Sequence, residues 1–374
     1  MEYYFKEIEN FIKKDILSYP KNIQNKVEYF LQDGKRLRPI LCIIFGGICI
    51  KDRDIDINIS LDTNTKIIYS IASTIEKLHC LSLVIDDLPE MDNDALRRGK
   101  QSFYAKYSTD YTNFFIYYMF NHIGLSLDIL LDSLETNYDI EIFNRINKLF
   151  TYNLNILIDG QYNDCNFLEK QDLEQDLENP ARKGGSSREP LVHSQETFDL
   201  KRNKKKLEIT QFKDEIEIIL QLLDNSKDID INIISNLEIN MKKTSSLFNL
   251  PICSGFILQI WKNKYDLEKF EIIIAKLSTW SNILGYMFQI SDDILDIVDD
   301  KEKGSPNICH IIGRENTCIL LKNGCEWLKN MINNIYIECK MMILDINLDM
   351  KLDNVIYFNL NTINEIIEKI LKRV

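Results

Sequence analysis

Two runs of aspartate stand out in the chain. The first reads Asp86-Asp87-Leu88-Pro89-Glu90-Met91-Asp92-Asn93-Asp94 and leads at once into Arg97-Arg98-Gly99-Lys100. The second reads Asp292-Asp293-Ile294-Leu295-Asp296. Asp292 and Asp296 are four residues apart, so a helix carries both carboxylates on one face. Like charges so placed destabilise a helix unless a cation sits between them. Hard oxygen ligands suit Mg²⁺, which takes one or two protein carboxylates and completes its shell with water and phosphate. Asp86 and Asp92 are six apart, and Pro89 predicts a distorted turn that brings them to one site. Each cluster follows an apolar stretch, Leu81 to Ile85 and Tyr286 to Ile290, so the carboxylates end buried helices and point into a cavity. A calcium loop starting at Asp92 would need glycine where Arg97 stands. Asp299 to Lys303 reads as a solvated helix end.

Cations complete the pattern. Asp33-Gly34-Lys35-Arg36-Leu37-Arg38-Pro39 places three of them in four residues, before a helix opened by proline. With Arg97 and Arg98, they predict a cavity with acidic walls, basic corners and apolar surroundings. Such a cavity binds two diphosphates, one through metals and one through lysine and arginine directly.

The elements that position these groups are helices. Ile68, Ile71, Ile75 and Leu78 form one apolar stripe running toward Asp86. Trp280, Leu284, Met287, Ile290 and Ile294 form another leading into Asp292. Further stripes are Phe5, Ile8, Ile12 and Ile16, and Phe212, Ile216 and Ile219. No stretch alternates apolar and polar residues, and 13 glycines and 7 prolines are too few for the turns of a barrel or sandwich. The expected fold is all-α, a large single-domain bundle of helices around a central cavity. The 374 residues are expected to form this one domain, interrupted at about 168–206 by a low-complexity, disordered insertion. That stretch holds a doubled QDLE, Asn179-Pro180, Gly184-Gly185 and a basic run from Lys201 to Lys206.

A net charge of −12 argues against nucleic acid as a partner. The longest strongly apolar run, Pro39 to Ile50, is shorter than the roughly 18 residues of a membrane span. No signal peptide is visible, and the nine cysteines contain no CxxC pair, which points to reduced thiols in an intracellular protein.

In order along the chain, the motifs resemble those of the trans-isoprenyl diphosphate synthases (polyprenyl synthetases), above all the geranylgeranyl and farnesyl diphosphate synthases of bacterial and plastid type. Gly34 to Pro39 resembles GKRxRP, and Glu76 and His79 resemble E-x-x-H. Asp86 to Gly99 resembles DDLPxMDxDxxRRG, and Gly160-Gln161 with Asp164 resembles GQxxD. Lys243-Thr244 resembles the KT motif, and Phe288-Gln289 with Asp292, Asp293 and Asp296 resembles FQxxDDxxD.

The resemblance implies the isoprenoid synthase fold, a homodimer and a Mg²⁺-dependent condensation of isopentenyl diphosphate with an allylic diphosphate. Three Mg²⁺ would be held by Asp86, Asp92 and Asp292, within a metal set that adds Asp87, Asp293 and Asp296. Lys243 and Arg97 would hold the allylic diphosphate. Lys35, Arg38, His79 and Arg98 would hold isopentenyl diphosphate, with Gln161 in the substrate-binding set. Thr244 and Gln289 would line the reaction zone, with Asp164 in the catalytic set.

Several positions depart from the pattern. Ile85 stands where the family has histidine, Phe115-Ile116-Tyr117-Tyr118 where it has GDAL, Gln101-Ser102 where it has Pro-Thr, and Ser305 in place of a lysine. These departures keep a catalytically weak regulatory subunit in view. A class I terpene cyclase is the other alternative, against which the second DDxxD and the GKRxRP element argue. Leu81, smaller than the aromatic that closes the tunnel in related farnesyl-producing enzymes, implies a product of geranylgeranyl length or longer. The visible N-terminus suggests the cytoplasm, with a plastid-type organelle as the alternative.

Overall fold

Residues 1–48, 62–131, 136–178, 212–223, 231–303, 307–346 and 356–374 are described by the structure, a computed structural model. The chain opens with α1 (Glu2–Ile16), α2 (Lys21–Leu31) and α3 (Leu37–Phe45). Pro39 falls in the first turn of α3, where its missing N–H costs no helical bond. The long helix α4 (Thr63–Asp86) starts at Asp62, whose carboxylate accepts from the Thr65 amide at 2.9 Å and the Thr65 hydroxyl at 2.7 Å. A hairpin of two-residue strands, β1 (Leu96–Arg97) and β2 (Lys100–Gln101), follows. Its turn residues Arg98 and Gly99 both have positive φ, as a tight hairpin turn requires. This hairpin was not foreseen; at two residues per strand it leaves no room for alternation to show.

Next come α5 (Phe103–Tyr107), α6 (Thr109–Leu131) and α7 (Asn137–Glu178). Helix α7 runs through the first part of the stretch expected to be an irregular insertion. Residues 168–178, with both QDLE copies, are helical, in keeping with the high helix propensity of Leu, Glu and Gln. The remainder, 179–206, lies outside the described residues.

The second half holds α8 (Lys213–Leu222), α9 (Ile231–Asn240), a π-helical turn (Met241–Ser245) and α10 (Ser246–Lys262). It continues with a 3₁₀ turn (Leu267–Phe270), α11 (Glu271–Leu295), α12 (Ile297–Lys303), α13 (Ile308–Ile312), α14 (Arg314–Ile346) and α15 (Leu360–Leu371). Helix α10 is central, packing on α3, α7 and α11, while α4 packs on α3 and α6, and α11 on α14. The fold is all-α, as expected.

The predicted stripes form the core. Ile68, Ile71, Ile75 and Leu78 are buried, as are Trp280, Leu284, Met287, Ile290 and Ile294. In α1 the buried face is Tyr4, Ile8 and Ile12, while Phe5 turns outward. Helix α4 is, by length and composition, apolar enough to cross a membrane, but 78% of the relevant window is buried inside the protein. The described cysteines are all free thiols.

Candidate active site

The first aspartate cluster sits where α4 ends. Past Asp86 the chain turns back on itself, and the Asp92 amide donates to the Asp86 carbonyl at 2.9 Å. This is the distorted turn that Pro89 predicts, and it brings Asp92 within electrostatic range of Asp86. Burial pushes the Asp86 carboxyl up to about 6; Lys243 and Arg97 pull against that shift, and Asp92 and Asp87 add to it. Lys243, from the π turn, therefore faces the end of α4.

Asp87 has a different role in the geometry. Its buried carboxylate accepts from Arg97 Nε at 2.8 Å and also from Arg97 Nη2. That ion pair ties the end of α4 to β1. Arg97 is thus committed to Asp87, with Asp94 at 4.0 Å. Arg98 reaches back to the Gln32 carbonyl at 3.1 Å.

The second cluster ends α11. Asp292 is bound by Arg373, from the turn after α15, which also donates to Ser291 Oγ at 2.8 Å and lies 4.6 Å from the centre of the Phe288 ring. Nothing in the sequence pattern marked Arg373. Burial raises the Asp292 carboxyl, and Arg373 and, more weakly, Lys35 oppose it. Asp293 is buried and turned inward: it accepts from Gln289 Nε2 at 2.8 Å and from the Ile308 amide at 3.1 Å. Asp296 is exposed at the helix end. Asp300, in the run expected to be merely solvated, accepts from Asn307 Nδ2 at 2.7 Å.

A buried basic pair, Arg38 and His79, lies within electrostatic range of Asp292 and of Arg97 and Arg98. Arg38 Nη1 is 3.0 Å from His79 Nε2. Arginine can only donate, so Nε2 accepts and the histidine proton sits on Nδ1. Burial, then the charge of Arg38, holds His79 well below its usual range, so the ring stays neutral. Among the described residues, His79 Nδ1 and Arg38 Nε are both buried without a hydrogen-bond partner. Two unpaired donors in a buried site are what an oxyanion would satisfy. Arg38 also lies within electrostatic range of Asp292. Arg36 does not join this pair. It is buried and bound to Glu9 at 2.5 Å and to Glu76 at 2.9 Å, which anchors α3 to α1 and α4. Lys35 remains exposed at the rim.

The π turn is gripped from two sides. A Cβ on Gly160 of α7 would lie 2.7 Å from Lys242 Cβ, and one on Gly285 of α11 would lie 2.7 Å from Ser245 Cα. Lys242 is held by Asp159 at 2.7 Å and Glu238 at 3.0 Å. Its neighbours Lys243 and Thr244 are half-buried, and the Thr244 hydroxyl donates to Gln289 Oε1 at 2.8 Å. Gln161 adjoins Gly160 on α7. Asp164 is on the same helix, but its side chain lies outside the described residues, as does Ser305 altogether. Phe115 is core, stacked on Phe103 with ring centres 4.4 Å apart.

Among the described residues no three His, Cys, Asp or Glu side chains are grouped as a metal cage. Carboxylates are offered singly and in pairs. Hard carboxylate oxygens so placed suit a cation that brings much of its own shell, such as Mg²⁺ on a phosphate.

The profile described as Polyprenyl synthetase matches residues 20–187 and 199–329. The chain belongs to the polyprenyl synthetase family. It is 24% identical over 329 residues to the geranylgeranyl diphosphate synthase of Saccharolobus solfataricus, covering 86% of this chain and 74% of that one. It is 27% identical over 302 residues to the geranylgeranyl diphosphate synthase of Cyanophora paradoxa, covering 79% and 73%. A solved Helicobacter pylori geranyltransferase superposes with a TM-score of 0.60 at 17% identity, covering 99% of this chain and 97% of that one. The same enzyme solved with magnesium and isoprenyl diphosphate also gives 0.60, at 18% identity.

Proposed function

We propose that this family member is a Mg²⁺-dependent prenyltransferase that condenses isopentenyl diphosphate with an allylic diphosphate. One observation carries the reading: Asp86 and Asp92, with Lys243 facing them, form one charged site, and Arg38 and His79, within range of Asp292, hold buried donors without a hydrogen-bond partner among the described residues. Two anion-binding arrangements of different chemistry match two diphosphates.

Asp86, Asp92 and Asp292 are the residues that would hold magnesium, which supplies charge neutralisation for the diphosphate leaving group. Lys243 adds a direct contact to that group. Arg38 and neutral His79 bind the second diphosphate, the histidine through its Nδ1–H. Thr244 and Gln289 line the space where the allylic carbon loses its C–O bond, the isopentenyl double bond attacks, and a proton leaves for the released diphosphate. The apolar ends of α4 and α11 exclude water from that space.

The product we favour is geranylgeranyl diphosphate or longer. Leu81 is buried one turn before Ile85, and half-buried Ser82 and Ile85 flank it. Purified protein with Mg²⁺, isopentenyl diphosphate and an allylic primer should release diphosphate, and chromatography of the dephosphorylated products should show C20 or longer chains. Leu81→Phe should shorten the product by at least one five-carbon unit. A wild-type product no longer than geranyl, or an unchanged length in Leu81→Phe, refutes the tunnel reading.

A regulatory subunit with little turnover has one observation in its favour: Arg373 already neutralises Asp292. The same assay separates the two readings.

The partner we propose is a second copy of the chain. Tyr111, Phe114, Tyr117 and Leu125 are exposed along one face of α6, with Phe114 76% accessible, and Ile158 and Tyr162 of α7 are exposed as well. A patch of that kind on a monomer marks an interaction surface. Light scattering should give twice the chain mass, and Phe114→Glu should shift the protein to monomer.

A further inference from the structure

The second aspartate of the Asp292-Asp293 pair ends in a hydrogen-bonded chain that reaches the reaction zone. The Ile308 amide donates to Asp293 Oδ2 at 3.1 Å, Gln289 Nε2 donates to Asp293 Oδ1 at 2.8 Å, and the Thr244 hydroxyl donates to Gln289 Oε1 at 2.8 Å. The backbone of Asp293 is held as well, its carbonyl accepting from Asn307 Nδ2 at 2.8 Å. Asp293 is only 2% exposed, whereas Thr244 and Gln289 are half-buried.

An amide side chain has an electron-rich end and an electron-poor end, and which one faces a neighbour depends on its partners. A carboxylate only accepts. Asp293 therefore compels Gln289 to turn its NH₂ inward and its carbonyl oxygen toward Thr244. That oxygen then takes up the one proton of the Thr244 hydroxyl. What remains on the Thr244 side of the pair is oxygen lone pairs, while the nitrogen end of the amide is turned toward Asp293.

We infer that Asp293 is a positioning residue that fixes the Gln289 amide so that the oxygens of Gln289 and Thr244, and not the amide nitrogen, face the allylic cation. Asp293 acts through Gln289 and holds no metal. The inference rests on the transferase reading above. With Asp293 absent the amide is free to flip and put an N–H beside the developing positive charge. The sequence pattern places Asp293 among the metal ligands; its burial and its two donors give it this other task.

The test uses the full chain, Mg²⁺ and two unreactive probes: an ammonium analogue of an allylic diphosphate, which carries positive charge near the reacting carbon, and a neutral thiolo analogue. Calorimetry should show that the wild type prefers the ammonium analogue. Asp293→Ala should lose that preference on the order of tenfold while its affinity for the neutral analogue stays put. In turnover, kcat should fall by a similar factor with KM and the apparent Mg²⁺ requirement unchanged. Asp292→Asn, by contrast, should raise the Mg²⁺ requirement.

A second pair of variants guards against a failure to fold. Gln289→Glu alone sets two carboxylates against each other and should be impaired. Adding Asp293→Asn restores an N–H···O contact in the reverse direction, leaves oxygens facing Thr244, and should recover the preference. An Asp293→Ala protein that keeps its preference for the cation overturns the inference. So does a swap that shows no recovery, or a Mg²⁺ requirement that rises in Asp293→Ala as in Asp292→Asn. A wild type without turnover sinks the transferase reading; wild-type turnover with unmoved Asp293 variants sinks only this one.

Discussion

Asp86 and Asp87 are neighbours of one residue type with opposite circumstances. The Asp86 carboxylate has no hydrogen-bond partner among the described residues and lies within electrostatic range of Lys243. Asp87 is locked to Arg97. On the proposed reading, Asp86→Asn should keep the fold and lower turnover on the order of a hundredfold, since the charge it removes would act only with substrate and metal bound. Asp87→Ala should cost about 1–3 kcal/mol of stability, because it leaves a guanidinium without its acceptor. Chemical denaturation beside a turnover assay separates the two effects. The motif spacing made both residues visible but gave them the same part. A sequence shows that a carboxylate is present and does not show which donors have already claimed it. Arg36 makes the same point, since its companions Glu9 and Glu76 come from two other helices.

Among the elements, those with a long apolar stripe were legible, and α4 and α11 end at the aspartates that the stripes run into. Less legible were the pieces defined by what docks on them. Helix α15 carries its own stripe, Ile363, Ile366, Ile367 and Ile370, yet no motif announces that the turn after it delivers Arg373 to Asp292. The guanidinium stands where a bound cation would neutralise the same carboxylate. Arg373→Gln should therefore tighten Mg²⁺ binding about three- to tenfold by calorimetry, the two charges no longer competing for Asp292. Unchanged affinity would mean that Asp292 contributes little to the metal. The α13 segment escaped notice for a related reason: its five residues are too few to show a period, and its place is fixed by Asn307 and Asp293.

At the scale of the whole molecule, a polar cluster outside the two aspartate motifs joins α1, α4 and α6. Tyr19 stacks on His122 with ring centres 4.1 Å apart and lies 3.1 Å from His122 Nδ1, while Lys77 is bound to Asp15 at 2.6 Å. Tyr118 and Ser126 adjoin the ring from α6. Burial, then Lys77, holds His122 below its usual range, with Asp15 opposing. The folded chain thus binds this proton less readily than the unfolded chain does. Stability is lost as pH falls through the ordinary histidine range, near 6.5, and recovered above it. His79 has the same sign, whereas Asp86 and Asp293, pushed up to about 6 by burial, are relieved by acid and oppose it. A difference between variants therefore isolates the effect. The fall in melting temperature from pH 7.5 to 5.5 should be smaller in His122→Gln than in the wild type, by about 1–2 °C. An equal fall would mean that His122 is solvated in the native state.

The π turn between α9 and α10 holds one residue more per turn than the helices on either side. Everything before it is read in one helical phase and everything after it in another, offset by about 100°. Losing a single codon there would leave α9, Lys243, Thr244 and α10 all present and helix-forming. It would still rotate one half of the continuous rod against the other. Gly160 and Gly285 would then face the wrong side of their neighbour, and Lys243 would no longer look at Asp86. At this place in the chain a deletion of three nucleotides is more severe than the substitution of any one of the amino acids they encode.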